Sequence, residues 1–164
     1  MNYNINIHGL YISPGHAFYG RHGMNPLPHA MVACDVLDCI AGSGIRGDRF
    51  FDYKPDFKGQ VTFFDWAVHE DVLQTFQLTN KADAYRRNVV MEGVELNSLI
   101  GRTFQIGDVI FSGIEHCKPC YWMDHACSTG VEEFLAVKGG LRAKIVHSGV
   151  LLPGVQKLDV LGRV

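Results

Sequence analysis

The sequence has no long hydrophobic run. No window approaches ~18 consecutive apolar residues, so no membrane-spanning helix is expected. It also lacks an excess of basic charge. With 15 Lys and Arg against 17 Asp and Glu, the net charge is −2. That argues against a general nucleic-acid binder, yet leaves room for a small anion held by a local arginine cluster. The opening residues, Met1 to His8, show no basic stretch followed by an apolar block, so no secretion signal is expected. The five cysteines are then expected to be reduced thiols in the cytoplasm, where reactivity or metal binding outranks disulfides. Repeats, linkers and low-complexity segments are missing too. What is present is a chain of 164 residues, 47% hydrophobic, which fits one soluble domain over residues 1–164 with a real core.

Residues 4–13 alternate in polarity and read as an opening strand that Pro14-Gly15 ends. An irregular loop follows to Pro28, and His16, His22 and His29 read as its solvated decoration. Met31–Leu37 reads as a second strand with Cys34 as a small buried residue. Gly42 to Arg49 is too glycine-rich to pack as a regular element. It predicts a tight loop whose backbone can approach a ligand, with Arg46 and Arg49 available for phosphate or carboxylate, or a turn held by an Asp48–Arg pair.

Gln60–Phe64 is a short β run. Asp65 predicts an N-cap for a helix to about Phe76, with Val68, Val72 and Phe76 inward and His69, Glu70 and Asp71 on the wet side. Tyr85 to Met91 enters a buried strand with Arg86 and Arg87 at its mouth, one of them expected to face water. Val94–Ile100 predicts a short helix ended by Gly101. Residues 103–106 and 109–114, joined by Gly107-Asp108, predict a hairpin. Thr129-x-x-Glu132 reads as a capping box before a helix stopped by Gly139-Gly140. Strands at 141–147, 150–152 and 159–164 complete the chain. Many short strands with two or three helices predict a mainly β, α+β fold: a twisted, partly closed barrel with helices packed at its ends.

The hairpin feeds Gly113 to Asp124, where Cys117 and Cys120 bracket Lys118-Pro119, with His116 just before. Three chemistries compete for these thiols. Cys117, Cys120, His125 and Cys127 are four zinc-ligand types within eleven residues, the basis of a zinc-stabilised, non-enzymatic binding module. Thioredoxin-like exchange would need the pair to open a helix, and Tyr121-Trp122-Met123 offers no clean helical face. The third is one working thiolate in an anion pocket, able to carry sulfur or to ligate a soft metal.

Taken in series, Gly44-Ile-Arg-Gly-Asp-Arg49, Gly59-Gln-Val-Thr62, Arg86-Arg-Asn-Val89 with Gly93 and Leu96, Ile106-Gly-Asp108, Cys117-x-Pro-Cys120 and Gly139 to Val146 with Gly149 resemble the MOSC domain. This is the module at the C-terminus of molybdenum-cofactor sulfurases and in small stand-alone bacterial proteins. The resemblance spans about residues 5–155; Pro153-Gly154-Val155 departs from the family's usual ending. It implies a β-barrel that binds molybdenum cofactor or a sulfur-bearing species. Cys120 matches the functional cysteine, as metal ligand or sulfur carrier, with Cys117 as a neighbouring thiol. Arg86 and Asn88 match contacts to the pterin phosphate, and Arg46, Asp48 and Arg49 match the glycine-rich signature. Lys118 and His116 are placed to favour the ionised form of Cys120. A stand-alone member would rely on a cofactor-delivery, electron-donor or sulfur-donor protein, or reduce N-hydroxylated compounds.

Overall fold

The computed structural model describes residues 1–18 and 23–164, so His22 lies outside the described residues. Eleven strands and three helices run in the order β1 (Asn2–Ile12), β2 (Val32–Ala33), β3 (Leu37–Ile40), β4 (Gly44–Ile45), β5 (Val61–Asp65), α1 (Trp66–Phe76), β6 (Val89–Glu92), β7 (Arg102–Ile106), β8 (Val109–His116), α2 (Trp122–Ala126), α3 (Val131–Phe134), β9 (Leu141–His147), β10 (Gly149–Leu151) and β11 (Gly154–Arg163). The sheet runs β11-β7-β8-β9-β5-β6-β1-β2, and β11 also pairs with β1. That pairing, from Asn2 opposite Asp159 to Ile7 opposite Gly154, closes seven strands into a barrel. The barrel is therefore fully closed rather than partly closed: β1 and β11 are long enough to meet, which removes both free edges. β10, β3 and β4 form a small separate sheet.

One pair, β5 with β6, is parallel. Parallel neighbours need a crossover, here α1 and the 3-10 turn Ala82–Tyr85. The helices lie against the outer face of these two strands, so both faces are covered and the segments read as near-continuous apolar runs. Val61 and Phe63 of β5, with Val89 and Met91 of β6, point into the barrel. Phe64 and Val90 point outward into a second core with Val72, Tyr85, Met123, Val131 and Leu135. Inside the barrel the rings of Phe63, Phe104 and Phe111 meet at centroid distances of 5.3 to 5.8 Å.

Local differences from the sequence reading have physical reasons. Met31–Leu37 is not one strand: β2 and β3 belong to different sheets, and Cys34 between them is only half-buried. Asp65 does cap α1, accepting from the Ala67 N–H at 2.8 Å. His69, expected on the wet side, is 3% exposed, because its Nδ1 bonds the Tyr85 hydroxyl at 2.8 Å and so joins the second core. The capping box at Thr129 does not form. Gly130 precedes α3, and the Glu132 N–H donates to Asp124 Oδ1 at 2.7 Å instead. Although Tyr121-Trp122-Met123 offered no clean helical face, a short helix, α2, starts two residues after Cys120, whose carbonyl accepts from the Met123 N–H at 2.9 Å.

Candidate functional site

The end of β8, the entry to β6 and the loop around β4 meet at one place on the barrel. Their positions follow from local constraints. Gly139 and Gly140 lie beneath the cysteine loop: a Cβ on Gly139 would come within 2.5 Å of the Cys117 carbonyl oxygen, so only glycine allows that approach. The Cys117 N–H donates to Gly140 O at 2.7 Å. Arg87 ties the same layer together, donating from Nε to Gly139 O at 3.1 Å, from Nη1 to Tyr85 O at 2.8 Å and from Nη2 to Cys117 O at 3.4 Å. His116 Nε2 accepts from the Gly139 N–H at 2.9 Å, which requires the unprotonated ring. Burial, then Arg87 and Lys118, push its pKa down.

Arg86 adopts a left-handed backbone conformation at φ 56°. A non-glycine residue there is uncommon and held by its surroundings. Its N–H donates to Asp83 O at 3.0 Å, while Nη1 donates to His29 O at 2.7 Å and Nη2 to Ser13 Oγ at 3.0 Å and Gly15 O at 3.2 Å. Arg49 reaches Arg86 O at 3.3 Å and Asp48 Oδ1 at 3.4 Å.

These groups line a cleft of about 250 Å³ formed by His16, Phe18, Arg49, Phe50, Tyr85, Arg86, Arg87, Cys120, Trp122 and Met123, together with Ala17. A smaller chamber of about 120 Å³ shares Arg49, Phe50, Arg86 and Arg87 and adds Cys117 and Arg142. Aromatic rings wall the opening: Phe18 stacks on Trp122, and the guanidinium groups of Arg86 and Arg49 lie over Phe18 and Phe50 at 5.4 and 4.7 Å.

The charge balance is uneven. Arg87 is 8% exposed, and the side chains of Arg49 and Asp48 are 10% and 1% exposed. Three guanidinium groups thus share a single buried carboxylate. Burial and mutual repulsion bring the Arg86 pKa down to about 10, with Arg49 shifted in the same direction. Their hydrogen bonds go mainly to carbonyl oxygens, which fix the groups in place without neutralising them. Buried charge without counter-charge costs several kcal/mol per ion.

The structure brings Cys120, Arg49 and Arg86 together from the residues singled out in the sequence. Cys117 is 4% exposed and reaches only the inner chamber. Asn88 is buried among strands: its Oδ1 accepts from Thr62 N and Oγ1, each at 3.0 Å, and its Nδ2 donates to Tyr11 O at 3.1 Å. Asp48 clamps the loop, accepting from the Ser13 N–H at 2.9 Å and the Phe50 N–H at 3.2 Å. Arg46 points outward to Asp38 at 2.9 Å. Lys118 lines a different surface depression, with Glu132 and Glu133. Sequence reasoning missed the cleft roles of His16, Phe50 and Trp122, and of Arg87, whose adjacency to Arg86 was the available signal.

Among the described residues, no three His, Cys, Asp or Glu side chains converge as a metal site. The four zinc-ligand types are dispersed: Cys117 is buried, Cys120 and His125 are exposed, and Cys127 packs against the second core. Burial pushes the thiols of Cys39 and Cys127 up to about 12 and 11.

A closed barrel with an arginine-lined cleft beside an accessible cysteine defines the class of structure to which this chain belongs. A family model described as the MOSC domain matches residues 59–157, which include Arg86, Arg87, Cys117 and Cys120. The chain belongs to the MOSC domain family, whose members are generally linked to molybdenum-cofactor binding. Among solved structures, it resembles YuaD of Bacillus subtilis with a TM-score of 0.75 at 16% identity, over 96% of each chain. It resembles YiiM of Escherichia coli with a TM-score of 0.67 at 15% identity, over 100% of this chain and 71% of that one. For YiiM of Geobacillus stearothermophilus the TM-score is 0.70 at 12% identity, over 96% and 75%. At these identities the likeness shows the fold alone. No curated protein matches the sequence. Among the described residues, no helix is long and apolar enough to cross a membrane.

Proposed function

We propose that this cleft holds the molybdenum cofactor, or a related sulfur-bearing anion, with Cys120 presenting its sulfur to the bound group. The observation that carries this reading is the meeting of an exposed thiol with three guanidinium groups that share one buried carboxylate. The donor set fits the group chemically. Sulfur is a soft ligand suited to molybdenum, and guanidinium pairs bind phosphate in a fixed fork.

Arg49, Arg86 and Arg87 would hold the anionic part, while Phe18, Phe50 and Trp122 wall off water from one side. When bound, the cofactor supplies two-electron redox and ligand-exchange chemistry, which no side chain here provides. Cys120 is the one thiol on the main chamber, which favours a ligand role over a relay in which sulfur passes between neighbouring cysteines. Reduction of N-hydroxylated compounds is accordingly the preferred activity, and sulfur transfer the other. A cytoplasmic electron-donor or sulfur-donor protein would complete either.

The test is purification from a cofactor-producing host, followed by metal and pterin analysis. Wild-type protein is expected to retain molybdopterin, and Cys120→Ala to lose the metal while keeping its fold. A Cys117→Ala variant is expected to retain both. Zinc in place of molybdenum, lost on Cys127→Ala, would overturn the reading.

A further inference from the structure

The cleft is well supplied with charge and poor in groups that can exchange a proton. Its guanidinium groups stay protonated throughout the physiological range. The Tyr85 phenol is pushed far above its ordinary value by burial, and its hydroxyl is engaged by His69. Among the described residues of the lining, the imidazole of His16 is the histidine, the side-chain type that changes charge near neutrality. It is not a loosely held loop side chain. Its ring packs edge-on to Phe50 at 4.9 Å and 78°, with Tyr53 at 5.6 Å. Phe50 in turn lies under the Arg49 guanidinium, so His16 is fixed against the wall that carries the arginines.

We propose that His16 is the proton-holding residue of the cleft: it takes up a proton when an anion settles among Arg49, Arg86 and Arg87, and holds that proton beside the bound group. This rests on the anion-binding reading given above. Among the described residues, the charged and titratable groups that face His16 are Arg49 and Asp48 from the glycine-rich loop, Arg86 from the entry to β6, and His29 from its own loop. Burial comes first, and Arg49, Arg86 and His29 add to it; together they outweigh Asp48 and press the ring toward its neutral form. A bound dianion screens both guanidinium groups and reverses the sign of the local field. The imidazole then favours the charged form, in which both ring nitrogens are donors. By linkage, proton uptake and anion affinity rise together. A reaction that delivers protons to a reduced substrate would find one stored at the site where the negative charge sits.

Sulfate is the probe, since it carries the same charge across this pH range and needs no cofactor. Two measurements decide. In wild-type protein the His16 ring resonance, assigned through its close contacts with the Phe50 and Tyr53 rings, is expected to titrate at higher pH with saturating sulfate than without. Sulfate affinity is expected to rise about tenfold between about pH 7.5 and pH 5.5, the equivalent of one unit of coupling, and to be flat in His16→Gln. Sulfate that binds without moving the His16 titration overturns this proposal and leaves the arginine cleft standing. Sulfate that does not bind at all overturns both. The resonance measurement uses wild-type protein, so it decides even where the variant folds poorly.

Discussion

The inside of the barrel and the cleft at its side are built on opposite principles. The barrel interior is filled by Phe63, Phe104 and Phe111, all fully buried, and their aliphatic neighbours, and its stability comes from area removed from water. Among the described residues, the cleft holds Arg49, Arg86 and Arg87 with Asp48 as the one buried carboxylate beside them, an arrangement that opposes folding. Two consecutive residues show the divide. Asn88 satisfies Thr62 and Tyr11 across three strands, while the adjacent Arg87 faces the cleft. Asn88 serves the fold through its hydrogen bonds, whereas the guanidinium charges of the cleft oppose it even where their hydrogen bonds hold the loops.

Substitutions can break that comparison. Phe111→Ala removes a ring from the barrel centre and is expected to destabilise by about 3–5 kcal/mol in urea unfolding. In the folded fraction it should leave the alkylation rate of Cys120 unchanged. Asn88→Ala leaves buried partners unsatisfied and is expected to cost about 1–3 kcal/mol. It should leave sulfate affinity unaltered; a loss of affinity greater than the loss of stability would move Asn88 into the cleft. Arg86→Gln is the opposite case. Its lost carbonyl contacts are offset by relief of repulsion from Arg49, so stability is expected to change by no more than about 1–2 kcal/mol. Sulfate affinity is expected to fall by about tenfold, since a charge-assisted contact is lost.

The smallest effect is on pH. Burial lowers the pKa of His69 and of His116 in the folded protein. Below the unfolded value of about 6.5 the unfolded chain binds more protons than the native one, so stability falls with pH. The contribution is present above that value and is lost as pH falls through the folded pKa of each ring. Urea midpoints should therefore decline between about pH 7 and pH 5, and His69→Phe should flatten part of that decline.

The barrel was largely legible in the sequence because strands such as β1, β9 and β11 carry period-two alternation and the β7–β8 turn carries Gly107-Asp108. Closure was not, since the meeting of Asn2–Ile7 with Gly154–Asp159 joins the two ends of the chain and no local pattern encodes it. The glycine-rich loop, the twin arginines and the cysteine pair were legible as candidates by composition. Their sorting was not. Arg46 and Arg49 differ in nothing but position, yet one faces Asp38 in solvent and the other the cleft. His16 and His69 were both read as solvated, because the rings that bury them come from segments distant in the chain.

The most direct measurement is X-ray absorption at the molybdenum edge on protein purified from a cofactor-producing host. Wild-type protein is predicted to show one more sulfur neighbour than Cys120→Ser, with Cys117→Ser indistinguishable from wild type. An identical sulfur count in wild type and Cys120→Ser would contradict the account.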